Sequence, residues 1–191
     1  MSHPSPTPPS FRYSTALVAI HWFMALLLVA VYASIELRVL FPKGSEPREL
    51  IKTLHFLLGL GVLLMVTLRL AARVSSPRPP PTSPPGRDVW MERVAAAGHA
   101  SLYLLMASMP VLGWLSLSAA GKPIAFFGLQ LPALMVADKS WAHDLKAMHE
   151  TLGTVGYWLI GSHVMAALGH QWVLKDGLLN RMALGRQAAA G

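Results

Sequence analysis

Eight histidines stand in a chain of 191 residues that contains no cysteine. His3 and His143 fall in polar surroundings and read as solvated side chains, whereas His21, His55, His99, His149, His163 and His170 lie within or at the ends of strongly apolar stretches. Imidazole in such a setting can offer a neutral nitrogen to a metal, relay a proton, or make a hydrogen bond between helices. Without cysteine there can be no disulfide, thiolate-held cluster, zinc ribbon or thioether-attached cofactor, so any metal rests on histidine, carboxylate or methionine.

The stretch MHETLGTVGYWLIGSH, residues 148–163, holds two of these histidines fourteen positions apart. At about 100° and about 1.5 Å per residue, a helix brings His149 and His163 to nearly the same face and separates them by about 21 Å. The elements that would carry them follow from composition. The chain is 53% hydrophobic and 13% charged, with a mean hydropathy of +0.45, which is outside the balance of a soluble domain. Four stretches are long enough for a hydrocarbon core of about 30 Å: Ala16 to Ile35, Leu54 to Val74, Val94 to Ser118 and Met148 to His170. The expected fold is all-α, an integral membrane four-helix bundle.

Charge sets the orientation. With both termini inside, the inner segments carry nine basic and three acidic residues and the outer segments seven and six, the bias expected of cytoplasmic flanks. The net charge of +7 therefore reads as topology; no basic stripe or aromatic-rich basic patch points to nucleic acid. The expected organisation is a disordered cytoplasmic N-terminal tail over 1–15, a four-helix membrane domain over 16–174 and a cytoplasmic C-terminal tail over 175–191, with a proline-rich tether, SSPRPPPTSPPGRD, between the second and third helices. The first apolar run exceeds a signal-peptide core and lacks a small-x-small cleavage site, so it reads as a retained anchor in lipid.

This orientation places His21 near the inner surface and His55 near the outer one, so heights pair His21 with His163 and His55 with His149. Two facing histidines at each of two levels suit two low-spin b-type haems, with axial nitrogens from facing helices. Zinc and di-iron sites gather three or more side chains, with added carboxylates for di-iron, at one point instead of two levels. Gly59, Gly61, Gly153, Gly156 and Gly161 have two readings: room for a flat macrocycle, or close helix packing.

On these residues the chain resembles the prokaryotic cytochrome b561 family, most closely its superoxide oxidase members, over roughly residues 12–184. The resemblance lies in Ile20-His21-Trp22, the ELRVLFPKG stretch after the first helix, His55, Gly98-His99, HETLGTVGY at 149–157 and IGSH at 160–163. Met148 departs from it, standing where the family pattern has tryptophan. The resemblance implies two b haems on His21, His55, His149 and His163, a bacterial inner-membrane location, and electron transfer from periplasmic superoxide through both haems to ubiquinone.

Other residues have two readings each. Lys52 and Lys146 stand three residues before His55 and His149; they suit either superoxide steering or snorkelling and propionate binding. Trp22, His99 and His170 suit an inner haem propionate or the vicinity of the quinone, with Trp22 also a candidate interface anchor. The loop from Ala119 to Ala147 reads as an apolar, proline-broken interfacial segment followed by a short polar helix, either a membrane-hugging connector or a lid. Two rival functions remain: a haem-bearing anchor that takes electrons from a redox partner subunit, and a metal or proton transporter.

Overall fold

The computed structural model describes residues 14–75, 89–175 and 179–182; the proline-rich tether and most of both expected tails lie outside them. Four long helices dominate: α1 (Thr15–Leu37), α2 (Glu46–Val74), α3 (Val89–Ala119) and α4 (Lys139–Gly169). Each start that can be read has a local cause. The Ser14 hydroxyl accepts the Leu17 amide at the head of α1. α2 opens on Ser45 with a proline in its first turn and Glu46 and Glu49 against the positive helix end. Asp138 caps α4, accepting the amides of Ser140 and Trp141 at 2.8 and 3.0 Å.

These caps lengthen two helices beyond their apolar spans. α2 begins at Glu46 instead of near Leu54, and α4 at Lys139 instead of near Met148. The short polar helix expected before the fourth span is thus the first part of α4. The preceding connector also corrects the expectation: it contains a hairpin, β1 (Ile124–Phe126) paired antiparallel with β2 (Leu129–Leu131). Phe127 and Gly128 turn it, both at positive φ of 48° and 83°, as a two-residue loop requires when its twist must match the strands.

Neighbours in sequence pack closely, α1 on α2, α2 on α3 and α3 on α4. α1 and α4 close the ring through side chains: the Tyr32 hydroxyl donates to the Gly153 carbonyl at 3.0 Å, and that of Tyr157 to Glu36 at 2.7 Å. The buried core is thin, built on Val18, Met24, Val62, Val66, Leu102, Leu105 and Leu145 with Ala119 and Ile124 near the connectors. The outward faces are apolar, with Leu26 and Leu104 each 69% exposed and Trp158 79%, as suits a bundle whose solvent is lipid. α1, α2 and α3 are long and apolar enough to cross a membrane. α4, counted as a fourth span from sequence, does not reach the same apolarity, because its 31 residues include histidines, glycines and charged residues.

The bundle has two unlike ends. One carries the connectors 38–45 and 120–138; the other carries the start of α1 and the end of α4. At the latter, a π turn (His170–Leu174) and a 3₁₀ turn (Leu179–Met182) follow α4. Part of the expected tail is therefore ordered: the Trp22 indole N–H donates to the Met182 carbonyl at 2.8 Å.

Candidate functional site

His55 from α2 and His149 from α4 meet at the connector end, ring centroids 6.2 Å apart and planes at 80°. His21 from α1 and His163 from α4 meet toward the other end at 6.5 Å and 69°. All four are half-buried. The connector-end pair lies in a cavity of about 940 Å³ that reaches from Val62 and Leu105 out to Lys43 and His143.

Local bonds fix what these rings can offer. Nδ1 of His55 is 3.2 Å from the Val31 carbonyl oxygen and 3.2 Å from the Ser34 hydroxyl. A carbonyl only accepts, so Nδ1 carries the proton and Nε2 keeps its lone pair for a ligand. Nδ1 of His149 is buried without a well-formed hydrogen bond, with Gly113 against the ring. His99 follows the same logic as His55, its Nδ1 2.8 Å from the Ala95 carbonyl, and its ring lies 5.4 Å from that of His163. Among the described residues no group of three or more histidines and carboxylates forms a site for a bare metal ion.

The glycines divide between the two readings. At Gly59, on the cavity wall, and at Gly161 nothing lies within 4 Å of where a Cβ would be. Gly61 instead faces Leu27 at 3.6 Å and Gly153 faces Met109 at 3.6 Å, while a Cβ at Gly156 would overlap the Tyr32 hydroxyl.

The cavity wall and rim include Arg38, Lys43, Arg48, Lys52, Lys122 and Lys146 against Glu36 and Glu150. Lys52 and Lys146, the two cations singled out from sequence, are each held by a carboxylate on their own helix: Lys52 by Glu49 at 2.5 Å and Lys146 by Glu150 at 2.7 Å. Arg48 donates to the Phe41 carbonyl at 2.7 Å, and the buried Nε of Arg38 has no partner. Near the other pair, Arg69 donates through Nε to the Tyr103 hydroxyl at 3.0 Å. Trp22 sits edge-on to His21 at 5.7 Å, and His170 ends α4 and opens the π turn. Sequence reasoning passed over Arg38, Arg69, Tyr103 and the Glu36–Tyr157 bond. Arg38 lies inside the ELRVLFPKG stretch already singled out, while Arg69 looked like an ordinary flanking charge.

The model of the prokaryotic cytochrome b561 family matches residues 12–185. The chain belongs to that family. A probable superoxide oxidase CybB of Yersinia pestis is 35% identical over 171 residues, 90% of this chain and 95% of the relative. Cytochrome b561 homolog 1 of Escherichia coli strain K12 is 32% identical across 90% of this chain and 96% of its own, and a cytochrome b562 of Cereibacter sphaeroides is 29% identical across 89% and 94%. This cytochrome b561 chain is thus a membrane haem protein of electron transfer, with b-type haem as its cofactor.

Do the residues fit a b haem? Two imidazoles that would hold one metal atom between them, at metal–nitrogen distances of about 2 Å, would stand about 6 Å apart from ring centre to ring centre. The observed 6.2 and 6.5 Å match that span; the His99–His163 distance of 5.4 Å is shorter. The fixed tautomer of His55, the open space beside Gly59 and the size of the cavity agree with the same group. These observations belong to the connector level; at the terminal level the ring distance alone bears on the fit.

Proposed function

We propose that this protein is a di-haem cytochrome of the bacterial inner membrane that oxidises superoxide at the periplasmic face and reduces ubiquinone. The observation that carries this reading is the charged cavity over His55 and His149: six basic side chains line it against two carboxylates. Such a mouth, walled by apolar helices, concentrates a small anion and excludes a neutral one from the same advantage.

His55 and His149 would hold the iron of the outer haem, and His21 and His163 that of the inner haem. A haem held there would supply one-electron chemistry, so that two superoxide ions would leave as dioxygen while one ubiquinone would gain their two electrons and two protons from the cytoplasmic water. The chain's own part is to fix ligand tautomers, keep the two levels about 21 Å apart along α4, and set the local field. Steering belongs to the whole basic rim, because Lys52 and Lys146 share their charge with Glu49 and Glu150. Trp22, His99 and His170 would border the quinone or the inner propionates at the opposite end. The connector end is periplasmic and both termini are cytoplasmic, in line with the excess of basic residues on the terminal side.

Anaerobic stopped-flow spectroscopy tests the reading. The purified haem-loaded protein, mixed with a superoxide pulse, should show fast growth of the reduced α band and reoxidation only when a ubiquinone analogue is present. A spectrum that dithionite reduces but superoxide leaves untouched would reject superoxide as the donor and favour an anchor subunit fed by a protein partner.

A further inference from the structure

Among the described residues, two arginines keep a guanidinium N–H that is buried and unpartnered: Nε of Arg38 and Nη1 of Arg69. Each stands at one histidine level. Arg38, in the 3₁₀ turn after α1, lines the cavity that holds His55 and His149. Arg69 lies fourteen residues beyond His55 on α2, about 21 Å along it and so at the level of His21 and His163, and the Tyr103 hydroxyl accepts from its Nε.

Their placement is reciprocal. α1 gives a histidine to the terminal level, and the turn that follows it gives an arginine to the connector level. α2 gives His55 to the connector level and Arg69 to the terminal level, fourteen residues on and so on nearly the same face. An orphaned cationic donor is costly in a low-dielectric bundle unless an anion meets it. A guanidinium is the side chain best matched to a carboxylate, which it can bind through two parallel bonds. A b-type porphyrin brings two carboxylates of its own.

We infer that Arg38 and Arg69 are the carboxylate anchors of the two haems, Arg38 for the one held by His55 and His149 and Arg69 for the one held by His21 and His163. The inference rests on the two-haem reading above. It also explains why, among the described residues, neither orphaned N–H meets an acceptor: the partner is the porphyrin propionate, and the pairing raises the reduction potential of its own haem by keeping a positive charge beside it.

Equilibrium redox titration of the haem-loaded protein, followed at the α band, reads this directly. The two components are assigned by His149→Ala and His21→Ala, each of which should remove one of them. Arg38→Gln should lower the midpoint of the component that His149→Ala removes by about 59 mV, a tenfold change in a one-electron equilibrium, and leave the other in place. Arg69→Gln should do the same for the component that His21→Ala removes. Arg38→Lys and Arg69→Lys should recover part of each shift, and resonance Raman propionate-bending bands should move in the glutamine variants. Two retained haems with unmoved midpoints and unmoved bands would overturn the inference while leaving the two-haem reading intact. A fall only in the superoxide rate of Arg38→Gln would also overturn it, assigning Arg38 to a free anion. A wild-type chain that binds one haem would sink both.

Discussion

The hydroxyl of Tyr32 donates to the carbonyl of Gly153 at 3.0 Å across the seam between α1 and α4, and its ring lies 4.4 Å from that of Tyr157. This seam has little close backbone packing, so these side chains join α4 to α1 between the two histidine levels. Gly156 makes the join possible, since a Cβ there would run into the Tyr32 hydroxyl and press Leu105 at 3.2 Å.

Gly156→Ala should therefore destabilise the bundle by about 1–3 kcal/mol, the range for overpacking a filled site. The measurement is the thermal midpoint in detergent, taken also on Tyr32→Phe and on the double variant. Removing the hydroxyl should recover part of the loss, and additive effects of the two changes would show that the overlap is not the cause.

Ligation can be checked one histidine at a time. Alanine at His55 or His149 should halve the haem per chain and spare the terminal-end haem, while alanine at His21 or His163 should do the reverse. His99→Ala should leave haem content at the wild-type value, because its 5.4 Å approach to His163 does not match an axial pair. Loss of a haem in His99→Ala with retention in His21→Ala would exchange their roles.

Paired charges at the cavity mouth predict opposite signs. Lys52→Gln and Lys146→Gln each leave a carboxylate exposed, so the rate of haem reduction by superoxide should fall severalfold at low salt. Glu49→Gln and Glu150→Gln should raise it. Both effects should shrink toward about 0.15 M salt, where the screening length is about 8 Å. Rates that ignore all four changes would take these two ion pairs out of the steering field.

The connector is tied to the end of α3 by Ser118, which is 2% exposed. Its hydroxyl accepts the Leu134 amide at 3.1 Å and donates to the Trp114 carbonyl at 2.9 Å. Ser118→Ala should break that bond at a cost of about 0.5–1.5 kcal/mol, the net worth of an ordinary hydrogen bond, and speed exchange of the amide about tenfold or more. Unchanged exchange at Leu134 would show that other bonds hold the connector.

Much of this was legible in residue spacing, and the remainder depended on effects spacing does not carry. Long apolar runs reveal α1, α2 and α3 directly. The starts of α2 and α4 were hidden because their first turns are polar; only the caps, Ser45 with a following proline and Asp138, announced them. The hairpin escaped because its turn is Phe127-Gly128, whereas asparagine or aspartate before glycine is the usual sign. Histidine heights are a matter of rise per residue, so they could be reckoned from sequence. The carboxylate partners of Lys52 and Lys146 stand three and four residues away on the same helix, a spacing that sequence offered, whereas the empty hand of Arg38 depends on a side-chain direction that no periodicity encodes.

The fourteen-residue interval between His149 and His163 on one helix has an electrical meaning. In the function proposed above, an electron passing inward from the outer pair to the inner one would cover about 21 Å of a hydrocarbon layer about 30 Å thick. It would do so against the inside-negative voltage of a respiring cell, at a cost of about 1.6 kcal/mol for every 100 mV. A chain built in this way would work fastest in a de-energised membrane and slow as the voltage rises, so the proton-motive force would act as a brake on it.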